Sequence, residues 1–184
     1  MMKKILRKLL TISVLILAGT SLLFADAPKG PKLGSPASPE EIAKWDIGVM
    51  PDGEGLPAGK GTVKEGKLVY EKKCISCHGP QGIGASADQL AGAKMPLTSE
   101  YPEKTIGSYW PYATTIFDMV RRSMPMDAPG SLTDNEVYAV TAYLLYLNNI
   151  IDENTEINAE TLPDVQMPNR NGFINVYEQE KEKK

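Results

Sequence analysis

Apolar residues recur at helical spacing in three stretches of the chain, with glycine, proline and polar residues between them. The clearest runs from Thr133 to about Asn149, where Val137, Val140, Tyr143, Leu144 and Leu147 make one broad apolar face. Thr133 and Glu136 have the spacing of a capping box, in which the hydroxyl and the carboxylate each satisfy an orphan amide, and Leu132 with Val137 fits a hydrophobic staple. A second stretch, Pro111 to Arg122, places Ala113, Ile116, Phe117 and Val120 at i, i+3, i+4 and i+7. The first, Thr62 to about Cys77, opens on another capping box, Thr62 with Glu65, and sets Gly66 and Tyr70 on one face. Pro80 and the glycines at 79, 82 and 84 end it and begin a long loop. Nothing alternates with the period of a sheet, so the pattern predicts an all-α fold.

The flanks read differently. Met1 to Ala25 has the layout of a secretory signal: Lys3, Lys4, Arg7 and Lys8, then an uncharged apolar run from Leu9 to Phe24. Cleavage fits after Ala25 or after Ala27. The run is interrupted by Thr11, Ser13, Gly19, Thr20 and Ser21 and falls short of the ~20 residues a membrane span wants, so removal is expected rather than anchoring. Residues 26–61 carry Pro28, Pro31, Pro36, Pro39, Pro51 and Pro57, and form an extended arm with a short helical stretch from Pro39 to Trp45. Trp45, Ile47, Val49, Met50 and Leu56 are apolar for a free linker, so the arm is expected to pack on something. Residues 62–151 are the expected folded domain, and residues 152–184 form a tail without periodicity.

Removing the leader takes four of the 20 basic residues and none of the 23 acidic ones, moving the formal charge from −3 to −7. An acidic surface argues against nucleic acid and for a partner with a basic patch.

The chemistry is concentrated in Cys74-Ile75-Ser76-Cys77-His78, which holds both cysteines and the only histidine of the chain. C-x-x-C-H is the attachment signature of c-type haem: two thiols one helical turn apart bond the porphyrin, and the next residue turns its imidazole onto the iron. A zinc site would want four ligands, and a thioredoxin-like pair a βαβ setting; neither is present. Haem c also agrees with export, because bacteria complete its attachment outside the cytoplasmic membrane, so the expected location is the periplasm. With no second histidine, the sixth iron ligand is sought among Met50, Met95, Met119, Met124, Met126 and Met167. Met119 lies inside a helix and Met167 beyond the last one. Met124, just past a helix end with Pro125 after it, is the favoured ligand; Met126 and Met95 remain alternatives. With both axial positions filled, no catalytic residue is assigned. Trp110 and Tyr112 are candidates to line the crevice, and Arg121 or Arg122 to meet a propionate.

At this point the chain resembles the class I cytochromes c, which pack a first and a last helix across each other near the haem and take a methionine from the loop before the last helix. Gly66 with Tyr70, and Tyr143 to Leu147, match those two helical faces. The run Thr105 to Thr115, then Arg121 to Pro125 and Asp134 to Leu144, is similar to the cytochrome subunits of sulfane dehydrogenase (SoxD) and of sulfite dehydrogenase. So are Trp45-Asp46-Ile47, Pro51-Asp52-Gly53 and Leu56-Pro57 in the arm, and Met167 to Phe173 in the tail. The resemblance implies a molybdenum-cofactor partner subunit that does the sulfur chemistry and a soluble cytochrome c that takes the electrons. Some relatives carry two haem domains, whereas this chain has one C-x-x-C-H.

Overall fold

The computed structural model describes residue 30 and residues 33–176; the leader lies outside them. The chain divides into a unit of residues 1–43 and a unit of residues 44–184. From the first, helix α1 (Pro39–Trp45) begins with Ser38 and Glu41 capping each other's backbone amides.

The second unit is organised by a helix crossing. Helix α2 (Val63–Lys73) packs on α6 (Asp134–Leu147), and contact is close because Gly66 lies against the Ala139 carbonyl and Tyr143. A side chain at position 66 would collide with that carbonyl. One turn on, the Tyr70 and Tyr143 rings meet at 5.4 Å between centroids, a contact worth about 0.5–1.5 kcal/mol beyond its buried area. Helix α5 (Ala113–Ser123) adds Ile116, Phe117 and Val120 to the same core, with Phe117 against Tyr138 at 4.4 Å. Both expected capping boxes form, Thr62 with Glu65 and Thr133 with Glu136.

The first helical stretch is broken rather than continuous. Cys74, at φ −118° and ψ −35°, caps the end of α2, and a single further turn, α3 (Ile75–His78), carries the rest of the motif. A short helix α4 (Ile106–Tyr109) precedes α5 and is capped by Thr105 with Ser108.

The all-helical expectation has one local exception. Strand β1 (Lys60–Thr62) pairs antiparallel with β2 (Glu156–Asn158), with Gly61 opposite Ile157. Three residues are too few for a period-two pattern to show in the sequence. The pairing draws the tail into the core: Ile157, Leu162 and Met167 are all buried. Beyond them Asn169 donates to the Tyr109 carbonyl at 2.7 Å, Arg170 lies over the Tyr112 ring, and Phe173 meets Tyr109 edge-on.

The arm packs through some of its apolar residues and not others. Val49 and Leu56 reach the core, while Met50 and Trp45 face outward, Trp45 with 85% of its surface exposed. Its backbone is held by polar groups: Val49 N donates to Asp118 Oδ1 at 3.0 Å, Thr114 Oγ1 to the Pro51 carbonyl at 3.3 Å, and the Tyr138 hydroxyl to the Pro57 carbonyl at 2.8 Å. Among the described residues no helix is long and apolar enough to cross a membrane.

Candidate haem site

Cys74, Cys77 and His78 share one helical turn, with Cys77 N and His78 N both donating to the Cys74 carbonyl, at 3.2 and 3.0 Å. Both thiols are free. Burial pushes the Cys74 thiol up to about 11, with Cys77 adding to the effect.

The loop after the motif is tied back onto it. Gly84 N donates to the His78 carbonyl at 2.8 Å, and Ala87 N to the Cys77 carbonyl at 2.9 Å. Gly79 turns the chain at φ 72°, where its missing Cβ would press on the Gly84 carbonyl. The buried Tyr70 hydroxyl donates to the Gly79 carbonyl at 2.8 Å, and burial raises the phenol to about 12. This folding back brings the Asp88 carbonyl to 2.9 Å from His78 Nδ1. A carbonyl only accepts, so Nδ1 carries a proton, and in the neutral tautomer this leaves Nε2 with the free lone pair that an iron-ligating imidazole requires.

A second tether joins this loop to the last helix. The Asn148 amide donates to the Leu90 and Leu144 carbonyls at 3.1 and 2.8 Å, and its oxygen accepts from Gly107 N at 3.0 Å. One side chain thus links the haem-motif loop, α4 and the end of α6.

Of the six methionines considered, Met50, Met95, Met119 and Met126 are exposed, Met126 most at 76%. Met167 is buried in the core. Met124, the first residue beyond α5, is half-buried on the same core that Cys74, Ile75 and Trp110 pack against. The neighbouring residues singled out have protein partners of their own. Arg121, considered with Arg122 for a propionate, bonds Asp134 and the Ile47 carbonyl, and Arg122 bonds Asp118. Tyr112 lies under the Arg170 guanidinium.

Sequence reasoning passed over the Asp88 carbonyl and Asn148. A backbone acceptor carries no residue signature, and an asparagine at a helix end reads first as a cap.

The donor set fits haem c: two free thiols on one turn, an imidazole with Nε2 released, and a half-buried thioether elsewhere on the core. Residues 63–148 match the cytochrome c family. The fold and site place the chain among the class I c-type cytochromes, proteins that bind haem c covalently and transfer electrons.

Its likeness extends to particular relatives. A chain of the crystal structure of the sulfane dehydrogenase SoxCD from Paracoccus pantotrophus is 42% identical, with a TM-score of 0.76, over 82% of this chain and 75% of that one. The thiosulfate dehydrogenase of Stutzerimonas stutzeri (strain A1501) is 29% identical over 122 residues, 66% of this chain. The chain spans only 35% of that relative's length.

Proposed function

We propose that this chain is a periplasmic monohaem electron-transfer subunit of a sulfur-oxidising dehydrogenase. Cys74 and Cys77 would hold the porphyrin covalently, and His78 Nε2 and Met124 Sδ the iron. Haem c supplies one-electron redox chemistry. The protein's own part would be to hold the iron through both His78 and Met124 and to set the potential through the methionine and its surroundings. The sulfur chemistry, oxidation of sulfane or sulfite sulfur by two electrons, belongs in this reading to a molybdenum-cofactor partner. This chain would take those electrons one at a time and pass them to a soluble cytochrome c.

The reading rests above all on the extent of the likeness to the SoxCD chain. The cytochrome c family accounts for residues 63–148, whereas the likeness covers 82% of the chain and so reaches into the arm or tail. A carrier that diffuses alone has no use for either.

The deciding experiment co-expresses the chain with a candidate molybdenum subunit, purifies through a tag on that subunit, and follows haem absorbance on adding sulfite, thiosulfate or a sulfane donor. Co-purification with substrate-dependent haem reduction supports the proposal. A haem protein that stays monomeric beside a folded molybdenum subunit, and is reduced by no sulfur compound in its presence, returns it to the free carriers.

A further inference from the structure

We propose that Arg121 is a positioning residue for Met124, an inference resting on the reading of Met124 as an iron ligand. Met124 opens the loop of residues 124–133 between α5 and α6, in which residues 126–131 are exposed while Met124 and Leu132 pack on the core. Inside the loop the ties are slight: Ala128 N donates to the Pro125 carbonyl at 2.9 Å and Ser131 N to the Ala128 carbonyl at 3.3 Å. Its neck is held differently. Arg121, in the last turn of α5, places Nε 3.1 Å from Oδ1 of Asp134, in the first turn of α6. The same guanidinium donates through Nη1 to the Ile47 carbonyl of the arm at 3.2 Å.

Charge and helix direction agree at both ends of this clamp. A cation sits at the C-terminus of α5 and an anion at the N-terminus of α6, each where the helix dipole favours it. The Arg121 side chain is only 20% exposed, so water screens the pair less than an ordinary surface bridge. The guanidinium's fork lets one side chain hold both partners, which a lysine ammonium does less well. The clamp therefore fixes the spacing of the helix ends between which the methionine loop is strung, and fixes the arm to the same point. Releasing it gives the loop more conformations in which the thioether is off the iron.

The test uses holoprotein and exogenous imidazole, which competes with the methionine; displacement is read from loss of the far-red charge-transfer band between methionine and ferric iron. The apparent affinity of the competitor scales with the fraction of molecules whose methionine has left. Arg121→Gln and Asp134→Asn are each expected to bind imidazole about tenfold more tightly than wild type, with Arg121→Lys in between. Lys60→Gln, which removes the exposed pair with Glu156 away from the loop, should match wild type. Urea unfolding followed by far-ultraviolet circular dichroism separates local from global effects. If imidazole affinity is unchanged in Arg121→Gln, or rises only as far as global stability falls, the positioning role is wrong. Should Met124→Ala keep the band, the ligand assignment is what fails, and the positioning role falls with it.

Discussion

The two sides of the candidate haem site are built by opposite means. On the histidine side, residues 74–91 fold back on themselves, and the hydrogen bonds that aim His78 come almost entirely from backbone within that stretch. On the methionine side little is local. Met124 packs on a core made by distant helices, and its loop is held at the neck by side chains from α5 and α6 and a carbonyl of the arm. A local web follows from its own sequence, whereas a clamp between remote segments exists only once the rest of the chain has folded. The histidine side is therefore expected to form as a unit and the methionine side to be the first to loosen.

The largest expected effect comes from removing the attachment itself. A Cys74→Ser/Cys77→Ser double variant should show no haem stain on a denaturing gel, against strong staining of the wild type; retained stain would mean attachment elsewhere. Next, Met124→Ala should abolish the far-red charge-transfer band, while Met126→Ala, at a side chain 76% exposed, should keep it. The reverse result would transfer the ligand to Met126 and dissolve the contrast between the two sides.

Tyr70→Phe probes the histidine side. It deletes the buried bond to the Gly79 carbonyl and should cost about 1–3 kcal/mol of unfolding free energy. If the web is cooperative, the variant should also raise amide exchange at Gly84 and Ala87, and leave the methionine band in place.

The smallest effect concerns pH. Glu65 and Glu136 are held below the ordinary carboxylate value of 4.5, chiefly by hydrogen bonds from Thr62 and Thr133. A depressed folded-state value means the stabilisation is present above about pH 4.5 and drains away as pH falls through the folded value. Melting temperatures of wild type and of Glu136→Gln should thus differ at neutral pH and converge in acid. Parallel curves would show that the carboxylate's charge plays no part in the cap.

The same contrast explains what was legible in the sequence. The C-x-x-C-H turn, the two capping boxes and the three helical stretches are local patterns, and each appears within a residue or two of where it was read, apart from the break at Cys74. The strand pair between residues 60–62 and 156–158, the Asn148 tether and the Arg121 clamp join segments far apart in sequence. None has a spacing to recognise. Arg121 shows the difficulty well: three residues before a candidate iron ligand an arginine suggests a propionate, and only the fold reveals its bonds to Asp134 and the Ile47 carbonyl.

The exposed segment from Met126 to Gly130 marks a natural seam. A protease cutting there would leave two fragments, the first retaining every proposed haem-binding residue and the second retaining α6 and β2. They would share no covalent bond, yet the Gly66 crossing and the pairing of Lys60–Thr62 with Glu156–Asn158 both run between them. The chain is in that sense an interlocked pair, a haem-bearing piece and a clasp.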